Sequence, residues 1–216
     1  MDELAKRFSA LYTGAIVDIL DRFDYRRQTL PPELSPLQPG MRLAGPAYPI
    51  AGKPHPDHDH DASIRRILTM LGAVPTGHVA VYQTEDQVSA HLGELSVTSL
   101  KSRGCAGAVI DGGCRDIEFI LREGFPVFAR FTTPQDCVPR WELVSHGDAA
   151  IEIGGVRVAW GDYVVADRDG IVIIPAEAIA DVLEQAEVLA ATENQIREAV
   201  RAGMLPLEAY ENYGTF

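Results

Sequence analysis

The stretch AGAVIDGGCRDIEFI, residues 106–120, decides how the rest of this chain is interpreted. It begins with a short apolar run that predicts a buried strand ending at Asp111, and two glycines then permit a tight turn. Arg115 and Asp116 follow this turn and open a predicted helix. Ligands in layered α/β proteins collect where strands end and helices begin, so this segment is a candidate site.

The two charged residues of this segment have different chemical capacities. Arg115 can hold a carboxylate through two parallel hydrogen bonds. Asp116 offers the hard oxygen atoms that magnesium and manganese prefer. The same two residues could equally form an ordinary turn pair on the surface, and the segment alone leaves both interpretations open.

Strands and helices alternate on both sides of this segment, which indicates an α/β layer structure. The predicted strands in this part of the chain are 42–52, 78–83, 106–111 and 126–132. The predicted helices between them are 62–71, about 94–103 and 116–123. The prolines in 42–52 favour the edge of a sheet or the rim of a barrel. The later part of the chain is rich in strands, with turns at Gly154-Gly155 and Asp169-Gly170.

The ends of the chain are predicted to be helical. Residues 2–23 fit two short helices, with Ser9 or Thr13 as candidate caps. The proline-rich residues 28–40 predict an extended connector. Residues 176–202 predict one long helix that ends at Gly203. We therefore expect an α/β domain over 1–175, followed by a C-terminal helix and tail over 176–216 that pack on a neighbouring subunit.

Charge and composition restrict the function. The net charge is −12, from 31 acidic and 19 basic residues, and it lacks the basic footprint of a nucleic-acid-binding protein. Three cysteines at irregular spacing fit neither a disulfide framework nor a zinc knuckle, which indicates a reducing compartment. We expect a cytoplasmic protein with no membrane partner, because no signal-like start and no apolar run of about 18 residues is visible.

A second candidate segment, HLGELSVTSLKSRG, precedes the first one at residues 91–104. Gly93 lies just before the predicted start of a helix, so the backbone amides of Leu95 and Ser96 are free to bind an anion. Glu94 adds a second carboxylate at the same place. A glutamate there can also serve only to favour the helix dipole, and the spacing does not separate these alternatives.

Together, the two segments resemble the RraA-like family. The resemblance rests on G-E-L-x-x-x-x-x-K-x-R-G, which begins at Gly93, on G-x-V-I-D-G-x-x-R-D, which ends at Asp116, and on GFPVFARFTTP at 124–134. It is strongest over 72–135. The family contains 4-hydroxy-4-methyl-2-oxoglutarate aldolases, which also decarboxylate oxaloacetate, and regulators of ribonuclease E. Some members carry a demethylmenaquinone methyltransferase label, but this chain has no glycine-rich loop for a nucleoside cofactor.

The resemblance implies a role for each residue of the two segments. The stretch Gly93, Glu94, Leu95 and Ser96 looks like the loop whose amides bind a 2-oxo acid substrate, although leucine is common at the position of Ser96. Arg115 looks like the residue that binds the substrate carboxylate. Asp116 looks like the direct ligand of Mg²⁺ or Mn²⁺, and Glu94 like an acid that holds this metal through water.

The resemblance also implies a fold, an assembly and an activity. The family fold is a swivelling-type β/β/α layered domain, assembled as homotrimers or homohexamers, and the long C-terminal helix favours the aldolase branch. The expected activity is that of a metal-dependent lyase, an aldolase or decarboxylase that proceeds through a metal-stabilised pyruvate enolate. The alternative is a non-catalytic regulator that binds ribonuclease E.

Other polar residues are assigned lesser roles. The segment HPDHDHD at 55–61, with His55, His58 and His60, is predicted to be a solvated loop rather than a catalytic metal site. Lys101 is expected on an exposed helix turn, which disfavours a Schiff-base mechanism. We expect a structural role for His91 and inert thiols at the cysteines, and we expect Asp111 to support the turn before Arg115.

Overall fold

The structure is a computed structural model that describes residues 3–55 and 59–216. Its helices are α1 (Glu3–Ala10), α2 (Thr13–Arg22), α3 (His60–Ala73), α4 (Glu94–Ser102), α5 (Ile117–Glu123), α6 (Ile179–Arg201) and α7 (Pro206–Tyr213). Its strands are β1 (Ser35–Pro36), β2 (Leu43–Pro54), β3 (Val79–Gln83), β4 (Ala90–Leu92), β5 (Gly107–Cys114), β6 (Val127–Thr132), β7 (Trp141–His146), β8 (Ile151–Ile153), β9 (Val156–Val158), β10 (Tyr163–Ala166) and β11 (Ile171–Ile174).

One large mixed sheet organises the molecule. Its strand order is β1-β6-β5-β3-β2-β10-β11, with β4 paired to β5 and β7 paired to β2. The inner strands β2, β3, β5 and β6 run parallel, which requires the crossover helices that the sequence alternates with them. Helices α3, α4 and α5 cover one face, and the hairpin of β8 and β9 packs against the other. The expected α/β layering with a long C-terminal helix is confirmed.

The position of β2 in the sheet differs from the prediction. This strand lies in the centre, with β3 on one side and two successive partners on the other. β10 pairs with its first part, up to Pro46, and β7 pairs with its last part, from Ile50 onward. Pro46 and Pro49 lie where one ladder ends and before the next begins, so they interrupt neither ladder on that side. The prolines therefore indicate a change of partner rather than a sheet edge.

The glycines of β5 also have a different role from the predicted one. The strand continues through Asp111 to Cys114, so the prediction of a turn at the two glycines was wrong. A β-carbon on Gly112 would lie 2.6 Å from Thr84 Oγ1, and one on Gly113 would lie 2.5 Å from Ser89 O. The strand keeps glycines because neighbouring segments approach this closely. A shift in register against β6 at this point marks a β-bulge.

Neither of the predicted caps, Ser9 and Thr13, caps a helix in the structure. Asp59 caps α3, where its Oδ1 accepts a hydrogen bond from Ala62 N at 3.1 Å. Ser9 lies inside α1, and the cap residue of α2 is Tyr12 rather than Thr13. Thr13 instead donates hydrogen bonds from N and Oγ1 to the Asp167 carboxylate, at 2.9 and 2.7 Å. The start of α2 is thereby tied to the hairpin of β10 and β11.

The first half of α6 belongs to the core of this chain. Its buried side chains pack with those of α1, α2, β10 and β11; they are Val182, Leu183, Ala186 and Leu189.

A 3₁₀ turn, Ala176–Ala178, precedes α6. Helix α7 and strand β7 are elements that the sequence did not predict. Packing of α6 or the tail on a neighbouring subunit stays a prediction. Over the described residues, we find no helix with the length and apolar character needed to cross a membrane.

Candidate active site

The ends of two parallel strands bring the two predicted site segments together. β4 and β5 are neighbours, and each leads directly into a helix, α4 or α5. Arg115 N donates a hydrogen bond to Leu92 O at 2.9 Å, which fixes the end of one strand to the end of the other. Gly93, Glu94, Arg115 and Asp116 therefore meet at one edge of the sheet, where helix starts also converge.

Gly93 allows these residues to approach closely. A β-carbon at this position would lie 2.6 Å from Asp116 Oδ2 and 3.1 Å from Arg115 Nε. Without that atom, Glu94 N reaches Asp116 Oδ2 and donates a hydrogen bond of 3.0 Å. One carboxylate oxygen of Asp116 therefore lies at the positive end of the α4 dipole.

Asp116 has an unusual backbone conformation. Its φ angle of 59° lies in the left-handed region, which residues other than glycine adopt infrequently. It precedes α5, but its side chain does not cap that helix. The side chain is turned toward α4 instead. Such conformations concentrate at binding and catalytic sites, where the surrounding structure maintains them.

Arg115 lies between two carboxylates. Its Nε is 3.7 Å from Asp116 Oδ2, and its Nη2 is 3.6 Å from Asp136 Oδ2. The Arg115 side chain remains 36% exposed, so the guanidinium can still reach a ligand. Sequence reasoning missed Asp136, which follows β6 in a loop bounded by prolines. Its position after the end of a parallel strand, like that of Arg115, is the signal that could have identified it.

These residues form the rim of a cleft of about 300 Å³. Glu94, Arg115, Asp116 and Asp136 form its charged side. Large apolar side chains also line the cleft and are called its apolar wall here; they include Ile64, Ile67, Leu68, Leu71, Leu95 and Val138. The cleft thus combines a few charged groups with an apolar lining, as small-molecule sites commonly do.

His91 is buried beneath this cleft. Its Nε2 is 3.2 Å from Asp86 Oδ2, and its ring packs against Trp141 at 4.8 Å between centroids. Burial lowers the pKa of His91 to about 4, although the Asp86 carboxylate opposes this shift, so the ring is neutral at pH 7. Among the described residues, its Nδ1 has no hydrogen-bond partner. The burial and packing agree with the expected structural role.

The remaining candidates in the described part of the chain are not among the residues that line the cleft. Asp111 lies within β5, and its side chain accepts a hydrogen bond from Arg130 Nε. The prediction that it supports a turn before Arg115 was therefore wrong. Lys101 is half-exposed and pairs with Glu123 at 2.9 Å, as its predicted position on an exposed turn implies. His55 lies 3.4 Å from Glu142, and His58 lies outside the described residues.

The three cysteines are in environments that make them poor nucleophiles. Burial raises the pKa of Cys114 and that of Cys137 to about 12, and it also raises the pKa of Cys105. The reactive form of a cysteine is the thiolate, which these shifts disfavour at neutral pH. The expectation of inert thiols agrees with this environment.

The carboxylates on the rim fit one kind of metal better than others. Across residues 3–55 and 59–216, no group of three or more His, Cys, Asp or Glu side chains could enclose a metal ion. Zinc in a structural site would need such a group. Magnesium keeps several waters and is often held by one or two carboxylates together with the substrate. Asp116, with Glu94 beside it, fits that donor set.

Comparison with known proteins gives a family match over most of the chain. Residues 13–173 match the sequence model of the family described as RraA-like: Aldolase/RraA. A relative from Halalkalibacterium halodurans, named "Putative 4-hydroxy-4-methyl-2-oxoglutarate aldolase", is 27% identical over 94% of this chain and 91% of its own length. Protein DlpA of Legionella pneumophila is 26% identical over 99% of this chain, which spans 34% of DlpA.

A solved structure supports the same assignment. This chain superposes on the crystal structure of Streptomyces coelicolor RraAS2 with a TM-score of 0.80 at 27% identity. RraAS2 is described as an unusual member of the RNase ES inhibitor RraA protein family. The superposition covers 91% of this chain and 96% of the other. The order of strands and helices described above is therefore shared with a member of that protein family.

Proposed function

Because the chain belongs to the RraA-like family, we propose that it is a divalent-metal-dependent lyase acting on a 4-hydroxy-2-oxo acid or on oxaloacetate. The observation that carries this proposal is the meeting of Gly93, Arg115 and Asp116 at the start of α4, on the rim of one cleft. A helix start and a guanidinium can bind the carboxylate of a 2-oxo acid, and a hard carboxylate can hold a divalent metal.

The protein groups would bind the pyruvate half of the substrate. The first hydrogen bond within α4 runs from Val97 N to Gly93 O at 3.0 Å, so the amides of Leu95 and Ser96 point out of the helix start without helical partners. These amides and Arg115 would bind the carboxylate and the 2-oxo group. Asp116 and Asp136 keep the guanidinium in place, which lowers the entropic cost of binding.

Asp116 would hold Mg²⁺ or Mn²⁺ directly, and Glu94 would hold it through water. When bound, such a metal supplies Lewis-acid stabilisation of the negative charge that develops on the 2-oxo oxygen. Glu94 N fixes the Asp116 carboxylate in position at 3.0 Å. Cleavage of a 4-hydroxy-2-oxo acid and decarboxylation of oxaloacetate both leave the enolate of pyruvate, so one site can serve both reactions.

The test is metal-dependent release of pyruvate. We would assay 4-hydroxy-4-methyl-2-oxoglutarate, oxaloacetate and 4-hydroxy-2-oxopentanoate with Mg²⁺ or Mn²⁺, and again after adding a chelator. Asp116→Asn should lower kcat by about 100- to 1000-fold, the usual cost of losing one group that stabilises developing charge. Asp24→Asn is the matched control, since Asp24 has a similar φ of 66° but follows α2. Metal-loaded protein that releases pyruvate from none of the three would overturn the proposal.

A second candidate function is inhibition of a ribonuclease of the RNase E type. The similarity to RraAS2, at a TM-score of 0.80, favours it. Such a role depends on surface contacts rather than on a metal, so Asp116→Asn should leave the inhibition unchanged. A ribonuclease assay with the wild-type protein and this variant separates the two functions, and full ribonuclease activity at excess protein would argue against the second one.

A further inference from the structure

The apolar wall of the cleft is the surface that would contact the part of the substrate beyond the pyruvate half. Leu68 on α3 is 59% exposed and Leu95 on α4 is 81% exposed, yet both lie beside a strongly charged rim. Ile64, Leu71 and Val138 belong to the same apolar wall. Large apolar side chains grouped around a polar anchor are typical of a binding surface, because they lose water when an apolar group covers them.

The charged side chains of the cleft also favour an apolar substituent on the substrate. Among the described lining residues, Arg115 is the one cationic side chain, and Glu94, Asp116 and Asp136 are anionic. His91 adds no positive charge at neutral pH, because it is neutral there. Arg115 is already shared between two carboxylates. The substrate's first carboxylate and its 2-oxo group would use this arginine and the metal held at Asp116. A second carboxylate would lose its water near Asp136 and would find no further cationic side chain in the described lining.

Neighbouring arginines do not supply the missing charge. Arg65 pairs with Asp61 at 2.7 Å, and Arg66 pairs with Glu142 at 3.2 Å. Arg140 donates to the carbonyl oxygen of Asp136 at 2.8 Å. None of these three side chains belongs to the described lining of the cleft.

We propose that this site prefers 4-hydroxy-2-oxo acids whose substituent at C4 is apolar, alkyl or aryl, over those that carry a second carboxylate there. This inference rests on the proposed function. In the reaction, the C3–C4 bond breaks and the C4 hydroxyl loses its proton to become the carbonyl of an aldehyde. C3 keeps the electron pair and gains a proton, which completes pyruvate, and no oxidant or other co-reactant is consumed.

The kinetic test compares two substrates that differ at C4. They are 4-hydroxy-2-oxohexanoate, which carries an ethyl group, and 4-hydroxy-2-oxoglutarate, which carries a carboxylate. We expect kcat/KM to be at least about 10-fold higher for the ethyl compound, the range that one or two buried methylenes provide. Leu68→Arg should shift the ratio toward the carboxylate by about 10-fold or more, because it adds a cation to the wall.

The matched control is Val144→Arg. Val144 is also 59% exposed but lies on β7, outside the described lining of this cleft. This variant should leave the ratio of the two kcat/KM values within about 2-fold of the wild-type ratio, since an added charge at a distance is screened by salt. Circular dichroism would verify that both variants fold, which their exposed positions favour.

A binding measurement tests the same inference without turnover. Titration of the Mg²⁺-supplied protein should show tighter binding of 4-methyl-2-oxopentanoate than of 2-oxoglutarate, which places a carboxylate where the former has methyl groups. If no 4-hydroxy-2-oxo acid or oxaloacetate is cleaved, the proposed function fails and this inference fails with it. If the carboxylated compounds are cleaved and bound as well as the apolar ones, or Leu68→Arg leaves the ratio unchanged, only this inference is overturned.

Discussion

Gly93 is the residue on which the geometry of the cleft rim depends most directly. In Gly93→Ala, the new methyl group would lie 2.6 Å from Asp116 Oδ2 and displace both Asp116 and Arg115. We expect the KM for a 4-hydroxy-2-oxo acid to rise by about 10-fold or more, because small displacements of positioning groups have large effects on rate and binding. Steady-state kinetics, with thermal unfolding as the check on folding, would measure this.

Gly72→Ala is the control for that substitution. Gly72 lies in α3, and no heavy atom lies within 4 Å of the position its β-carbon would take. Alanine should therefore leave KM unchanged and raise the free energy of unfolding by about 0.5–1 kcal/mol, as expected inside a helix. An unchanged KM in Gly93→Ala would show that the close approach of Gly93 to Asp116 does not matter for binding.

His91 should make stability depend on pH. Its pKa is about 4 in the folded protein against 6.5 in the unfolded chain, so the unfolded state takes up the proton first as the pH falls. The stabilising effect of the neutral ring is complete above pH 6.5 and is lost between pH 6.5 and 4, at a cost of up to about 3 kcal/mol. Urea unfolding at pH 7, 5.5 and 4 should show this loss in the wild type.

The His91→Gln variant separates this group from the many carboxylates of an acidic chain. Glutamine does not titrate, so the difference in the free energy of unfolding between the wild type and the variant should narrow as the pH falls from 6.5 to 4. A difference that is constant over this range would mean that His91 takes up its proton equally in both states.

The residues of the site could be predicted from sequence only where they are local. Gly93 and Asp116 lie in two compact motifs with fixed spacing, and both were identified with their neighbours. Asp136 was missed because its contact with Arg115 is made through the fold, from a loop that no motif marks. The contact between Gly93 and Asp116 is equally non-local, and only the resemblance to a family joined the two segments in advance.

At the scale of secondary-structure elements, α6 is expected to contribute strongly to stability. Leu183 is 2% exposed and packs in the core with α1 and α2, whereas Val188 on the same helix is 59% exposed. Leu183→Ala should lower the free energy of unfolding by about 2–5 kcal/mol. Val188→Ala should change it by about 0.5 kcal/mol or less. Chemical denaturation would measure both, and equal effects would contradict the packing of α6 on its own chain.

Periodicity predicted the existence of most elements but not the partners of each strand. The apolar run of β5 was recognised, but its continuation through Gly112 and Gly113 depends on how closely Thr84 and Ser89 approach. The prolines of β2 suggested an edge because sequence does not reveal that two different strands share one side of it. The pattern of apolar residues along a strand indicates which of its faces is buried. Which other strands pair with it depends on the whole fold.

At the scale of the whole molecule, we propose that the chain assembles as a homotrimer or homohexamer through its C-terminal region. Leu205 and Leu207 are each 69% exposed at the start of α7. Large apolar side chains exposed side by side are typical of a surface that another protein covers. Light scattering should give three or six times the 23.5 kDa of one chain. Leu205→Glu with Leu207→Glu should lower this mass, and Val144→Glu should not. A wild-type mass of one chain would contradict the proposal.

The central position of β2 has a consequence for how the molecule opens. Its side chains enter all three groups of buried residues: Ala44 lies with α1 and α6, Leu43 with the β8–β9 hairpin, and Ile50 with α3 and α4. Separation of any one of these groups would expose buried side chains of β2. Amide hydrogens of β2 should therefore exchange with solvent deuterium only when the entire chain unfolds. Thermal unfolding should likewise occur in a single cooperative transition, without a partly folded intermediate.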